Sequence, residues 1–331
     1  MKTMVLAIGG NSLIRPGEKG AVGEQLANAR RIAAQVVRLG REGWRLVLTH
    51  GNGPQVGAEL LLSEGAVGVV PRHPLDVCDA STQGEMGYLL QLALHSELKR
   101  AGLQMPVATV VTQCVVSLDD PAMKNPTKPV GRFYTVEEAE ERRRQCGWTV
   151  VMDAERGWRR VVPSPQPREI IELEAIRHLV QLGALVIACG GGGIPVAWVN
   201  GNLAGVEAVI DKDLASSLLA SKLGAEMFVI GTDTDYVYLD YKRPTQRALR
   251  RIDAEQLEQH ARAGHFAPGS MGPKVESVLE FLRGGGSEAI IASVDALCAA
   301  VGGTAGTHVI PTAKDASRRA ASDLEFAGEK R

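Results

Sequence analysis

The chain has 331 residues, 45% of them apolar, and 37 Lys and Arg against 38 Asp and Glu give a net charge of −1. That length supports a sizeable core in one large domain or two. The balanced charge provides no global field for nucleic acid or a membrane surface, so any anion site must be local.

The first element is Met4–Gly10, "MVLAIGG", a short apolar run that ends in glycines. The stretch Ala27–Leu39 follows with Ile32, Val36 and Leu39 at helical spacing, then a second apolar run closing on glycines, Arg45–Gly53. Gly84–Leu98 again has the helical spacing, through Leu89, Leu92 and Leu98, and Val107–Gln113 is the next apolar run. Ala184–Gly193, Met227–Asp235 and Ala289–Ser293 repeat the pattern. Continuous apolar runs without polar alternation predict strands buried on both faces, and their alternation with helices predicts an α/β fold with helices on both sides of a mainly parallel sheet.

From about residue 117 to 167 the rhythm breaks. This segment is rich in proline, carries the charged helical patch Thr135–Gln145 and contains "RGWRRVVPSPQP". It reads as an inserted, lid-like subdomain, because loops of such length inside a compact domain are usually functional. The tail after Pro311 has mixed charge and few large apolar residues, so residues 314–331 are expected to fray. Cys78, Cys114, Cys146, Cys189 and Cys298 are scattered without a C-x-x-C pair, which predicts reduced, mostly buried thiols. With no membrane-length apolar run and a start too short for a secretory signal, a cytoplasmic protein is expected.

Three glycine clusters follow three of the predicted strands: Gly9-Gly10-Asn11, Gly51-Asn52-Gly53 and Gly190–Gly193. In open parallel sheets ligands bind beyond the carboxyl ends of strands, and glycine lets backbone N–H groups approach an anion. Neither the G-x-x-x-x-G-K-[ST] phosphate loop nor the G-x-G-x-x-G dinucleotide motif is present, so a bound phosphate would need another architecture. Three lysines stand in unusual settings. Lys128 lies between Pro126 and Pro129, Lys212 between Asp211 and Asp213 at a helix start, and Lys274 after Pro273, expected to open a helix over Lys274–Leu282. A cation at a helix start is disfavoured by about 0.3 to 1 kcal/mol unless an anion compensates. A polyphosphate would compensate both Lys212 and Lys274, whereas either Asp211 or Asp213 is a natural cap.

The ordered motifs "AIGGNSL", "THGNGPQVG", "KNPTKPVGRFY", "RGWRRVVPSPQP", "CGGGGIPV", "GVEAVIDKDLAS", "HFAPGSMGPK" and "GTAGTHVI" resemble those of carbamate kinases of the amino acid kinase fold, from about Met4 to Pro311. The resemblance implies an open three-layer αβα sandwich over residues 1–313, with an acceptor half to about residue 183 and a nucleotide half from 184. It also implies phosphoryl transfer between ATP and carbamate, giving ADP and carbamoyl phosphate, in a homodimer that uses Mg²⁺ held mainly by the nucleotide phosphates. Carried over by position, Gly9, Gly10, Asn11, Gly51, Asn52 and Gly53 would surround the acceptor. Lys128, Lys212, Asp213 and Lys274 would be catalytic, with Asp213 holding Lys212 and Lys274. Gly191, Gly192, Lys212, Thr232, Asp233, Tyr238, Tyr241, Met271 and Lys274 would contact the nucleotide. Two departures from the family pattern, Ser12 and Arg132, leave a related kinase for another small carboxylate or carbamoyl compound open. A nucleotide-binding regulator without turnover is the third reading.

Overall fold

The computed structural model describes residues 2–153 and 157–312, so the predicted tail, 314–331, lies outside the described residues. The chain begins β1 (Thr3–Ile8), α1 (Val22–Arg41), β2 (Arg45–His50), α2 (Gly53–Gly65), α3 (Leu75–Ala101), β3 (Val107–Thr109) and β4 (Gln113–Val115). Next come α4 (Pro121–Lys124), β5 (Lys128–Tyr134), α5 (Val136–Cys146), β6 (Thr149–Met152) and β7 (Trp158–Val162). The chain returns through β8 (Glu169–Ile170), α6 (Leu173–Gln181), β9 (Leu185–Ile187), β10 (Ile194–Val199), β11 (Asn202–Gly205) and α7 (Lys212–Leu223). It closes with β12 (Met227–Thr232), β13 (Val237–Leu239), β14 (Arg247–Leu249), β15 (Arg251–Asp253), α8 (Ala254–Arg262), α9 (Met271–Arg283), β16 (Glu288–Ser293), α10 (Leu297–Val301) and β17 (Thr307–Ile310).

An eight-stranded sheet of order β15-β17-β16-β12-β1-β2-β9-β3 organises the molecule, parallel throughout except where β16 meets β17. The central strand shows why an unbroken apolar run was needed. Met4, Leu6 and Ile8 of β1 enter the core shared with α1 and α3, and the alternate residues Val5 and Ala7 enter the core shared with α7 and α9. Both faces of the strand are therefore dry, as a parallel sheet covered by two helix layers requires. No helix among the described residues is long and apolar enough to cross a membrane. All five cysteines are free; Cys78, Cys114 and Cys189 are buried, and Cys146 is exposed.

Two expectations change. The run Val107–Gln113 does not form one strand: β3 joins the large sheet and β4 joins a second sheet of order β11-β10-β4-β8. Between them Gln83 takes over the backbone bonding of Thr112, accepting from its N–H at 2.8 Å and donating to its carbonyl at 3.2 Å. Helix α3 also starts at Leu75, nine residues before the expected Gly84. Its first turns bury Asp79, Thr82 and Gln83, polar groups that hide the apolar period.

β5, β7 and β6 form a separate antiparallel sheet carrying α5. The helix has the signals its sequence announces: Thr135 and Glu138 make a reciprocal capping box, and Gly147 at φ 65° ends it. This lobe has a small apolar centre, Tyr134, Ala139, Trp148 and Val150 with Trp158 against it. Guanidinium groups supply much of its remaining packing: Arg160 lies over Trp148 at 4.7 Å, Arg132 over Tyr134 at 4.3 Å and Arg143 over Trp158 at 5.2 Å.

The lobe sits on the body through one face of its sheet. Val130 and Val162 pack with Val56 and Leu60 of α2, Leu75 and Cys78 of α3, and Val209. Lys128 pairs with Val162 across the strands, and Val130 with Arg160, so both cations share that inward face. Each meets a carboxylate of the segment that leads into α7: Lys128 Nζ donates to Asp211 Oδ2 at 2.8 Å, and Arg160 Nη2 donates to Glu207 Oε2.

Candidate active site

Because β1, β2, β9 and β12 are parallel neighbours, their carboxyl ends open on one edge of the sheet. The glycine clusters converge there. A Cβ on Gly51 would lie 2.7 Å from the Gly10 nitrogen, so the first two loops can touch only without a side chain. Gly191, at φ 70°, meets the Asn52 amide in the same way, with its hypothetical Cβ 2.3 Å from Nδ2. The result is a cavity of about 400 Å³ whose floor includes Gly9, Gly10, Gly51, Asn52, Gly53 and Gly191. Asn11 belongs to the short turn Gly10–Ser12, and its side chain lies outside the described residues.

The lysines form the other walls. Lys212 is the first residue of α7, and Lys274 is the fourth residue of α9, which starts at Met271 rather than at the expected Lys274. Asp211 is the N-cap of α7: its Oδ1 accepts from the Asp213 N–H at 2.9 Å. This frees the Asp213 carboxylate, which accepts from Lys212 on Oδ1 and from Lys274 on Oδ2, the latter at 3.0 Å. Asp211 does two tasks at once, because its second oxygen receives Lys128 from the lobe. Sequence spacing identified the lysines but missed this partner. The available signal was the acidic residue on each side of Lys212.

Burial deepens from lobe to body. Side-chain exposure is 34% for Lys128, 17% for Lys274, 11% for Lys212 and 5% for Asp213. Burial opposes ionisation of Asp213, but Lys212 and Lys274 with their hydrogen bonds outweigh it and hold its pKa at about 2. For Lys212 burial wins: it lowers the ammonium pKa together with Lys274, against the opposing attraction of Asp213. The starts of α2, α7 and α9 also border the cavity, adding the partial positive charge of three helix N-termini. Such a cavity is built for an anion with several oxygens.

A polar layer behind the floor fixes Asn52. Its Nδ2 donates to Thr82 Oγ1 at 2.8 Å and to Asp79. Burial raises the Asp79 pKa to about 7, aided by Asp76 and opposed by the Asn52 hydrogen bond. Burial likewise lowers His50 to about 4, so at neutral pH this imidazole at the end of β2 is uncharged.

Thr232 and Asp233 line the cavity, as do Ser12, Gly269 and Ser270, of which the last two lie in the motif "HFAPGSMGPK" without having been assigned a site role. Gly192 does not line it. At φ 107° it backs onto the Ile210 carbonyl, so it shapes the approach to Lys212 from behind. Tyr238 and Tyr241 stack on each other at 5.9 Å outside the cavity wall, and Met271 packs against the core. Arg132 does not add a free cation near Lys128, because it pairs with Glu138 at 2.7 Å and covers Tyr134.

Comparison with known proteins agrees with this architecture. The model of the amino acid kinase family matches residues 2–293. Carbamate kinase of Thermococcus kodakarensis is 47% identical over 313 residues, covering 94% of this chain and 99% of that protein. A carbamate kinase-like protein of Escherichia coli is 44% identical over 313 residues, 93% of this chain and 99% of that one. Carbamate kinase from Giardia lamblia bound to AMP-PNP has the same fold, with a TM-score of 0.90 and 43% identity over 94% of this chain and 99% of that chain. Similar over nearly its whole length to proteins of this kind, the chain belongs to the amino acid kinase family, among the carbamate kinases.

Proposed function

We propose that this protein is a carbamate kinase, transferring a phosphoryl group reversibly between ATP and carbamate and serving to make ATP from carbamoyl phosphate. The observation that carries the reading is Asp213 shared by two half-buried lysines, with a third lysine delivered to the same cavity by the lobe. Carbamate is already an oxyanion, so its attack on phosphorus requires no general base. The barrier is repulsion between anions, and catalysis reduces to positioning and charge stabilisation. Lys212 and Lys274, aimed by Asp213, would meet the transferred phosphoryl group. Lys128 would leave or share Asp211 to meet the acceptor over Gly9, Gly10, Asn11, Gly51, Asn52 and Gly53.

The nucleotide would lie over the half from residue 184, along Gly191, Thr232 and Asp233, with its base toward Tyr238, Tyr241 and Met271. Among the described residues no group of three His, Cys, Asp or Glu forms an ion cage. The Mg²⁺ would be carried mainly by the nucleotide phosphates, whose charge it would neutralise when bound. A homodimer fits the exposed stripe of Val77, Tyr88 and Leu92 on α3, which neighbours β10 and its exposed Trp198. A cytoplasmic setting is part of this reading.

Incubation with carbamoyl phosphate and ADP tests the reading, with ATP formation as the expected result. A related acceptor is the second reading. It is favoured by Ser12 in the cavity wall and by the near-equal identity to a protein named only as carbamate kinase-like. Transfer to another carboxylate without ATP from carbamoyl phosphate would establish it; tight ATP binding without any transfer would instead indicate a regulator.

A further inference from the structure

A second cavity, of about 350 Å³, lies at the root of the lobe, between the strands β6 and β7 and the body. Its walls include Arg72, Cys146, Trp148, Thr149, Arg160 and Glu207. Three guanidinium groups surround the Trp148 indole: Arg160 at 4.7 Å, Arg72 at 5.2 Å and Arg142 at 5.5 Å. Two of them have carboxylates. Arg160 donates to Glu207, and Arg142 stands 3.7 Å from Glu64. Arg72 has no ion pair among the described residues, and its Nε is buried without an acceptor. Arg160, with only 7% of its side chain exposed, also leaves Nη1 without a hydrogen-bond partner.

Glu207 hydrogen-bonds one of these arginines, Arg160, while Arg72 acts on it only through its charge. Its Oε1 accepts from the Leu75 N–H at 3.2 Å and its Oε2 from Arg160, so the carboxylate is fixed by the start of α3 on one side and by the lobe on the other. The cavity therefore contains two guanidinium groups against one committed carboxylate. Buried donors left unpaired in a folded protein call for a missing partner, and planar arginine forks select oxyanions.

We infer that this cavity binds a small oxyanion, a phosphate or carboxylate group, between Arg72 and Arg160. Both guanidinium groups lie over the Trp148 ring, which holds their forks at the same cavity. The ligand would take Arg160 Nη1, beside the Nη2 that Glu207 holds. Because Arg160 stands opposite Val130, on the lobe face that also carries Lys128, occupancy of this cavity bears on how the lobe is seated.

Cys146 gives a local readout that does not depend on catalysis, because it is an exposed thiol on this cavity while Cys78, Cys114 and Cys189 are buried. Labelling of the full chain with iodoacetamide, resolved by peptide mapping, is measured with inorganic phosphate and separately with malonate. Saturating anion is expected to slow Cys146 labelling at least about threefold. Protection by phosphate alone or by malonate alone identifies the oxyanion source, and protection by both establishes the shared class. Arg72→Leu is expected to abolish the protection with phosphoryl transfer unchanged, and Arg72→Lys, which keeps charge but loses the fork, to retain part of it. Unchanged labelling with both anions, or protection that survives Arg72→Leu, overturns the assignment.

Discussion

Asp213 and Lys128 line one cavity and are held there by different physics. On the body side, Lys212 and Lys274 are fixed by burial, by the first turns of two helices and by a single shared carboxylate. On the lobe side, Lys128 is more exposed and depends on a small apolar seat around Val130 and Val162 and on its bond to Asp211. The body wall is part of a core, whereas the lobe wall is an attachment. That difference suggests a division of labour in which the body stabilises the transferred group and the lobe adjusts to the acceptor.

Removing one of the body's two cations is the strongest challenge to this division. Lys212→Ala should lower kcat by about 10²-fold or more, the order expected for one charge-stabilising donor, with cooperative urea unfolding retained because Asp213 keeps Lys274. Near wild-type turnover would break the comparison. Lys128→Ala should give a smaller loss, expressed as a larger rise in KM for carbamoyl phosphate than for ADP; equal shifts in both would remove the acceptor-side role from the lobe.

The third test concerns the floor between the two walls. Asp79 has a folded-state pKa raised from 3.8 to about 7, so the folded protein holds its proton more tightly than the unfolded chain does. Its contribution to stability is full below about pH 4 and is lost as pH rises through about 7. Asp79→Asn should flatten that part of the stability profile, measured by urea midpoints across pH 4 to 8. Asp213 has the opposite sign. Its depressed pKa gives stability that is present above about pH 4 and lost as pH falls toward 2. The smallest effect is expected from Arg132→Ala. Its pair with Glu138 is solvent-accessible, so stability should change by no more than about 1 kcal/mol, and KM for the acceptor should stay within about twofold. A large acceptor effect would return Arg132 to the site.

Much of the body wall was legible before any coordinates. Apolar runs ending in glycine have few physical solutions other than buried parallel strands that bring backbone to a common edge, and lysines at helix starts stand out because the dipole disfavours them. The Asp211–Lys128 bond was less legible, because it joins residues of two elements whose approach is decided by the seat of the lobe. Asp79 and Gln83 were hidden for a related reason: buried polar groups on α3 interrupt the apolar period that announces a helix. One signal was available and unused. The β10–β11 hairpin turns on Asn200 and Gly201, both at positive φ, and the Asn-Gly pair is a strong hairpin signature in sequence alone. The stacked arginines of the lobe have no comparable signature, since nothing in their spacing says which aromatic ring each will cover.

The two-to-one ratio of ammonium groups to carboxylate at Asp213 reaches beyond turnover. Burial lowers the Lys212 pKa and the neighbouring Lys274 ammonium adds to that, against the attraction of Asp213, so the first turn of α7 holds its cation at a cost. A phosphoryl group entering between them would supply the missing negative charge. Binding at this edge would therefore also raise the stability of the folded protein, by an amount set by affinity and ligand concentration.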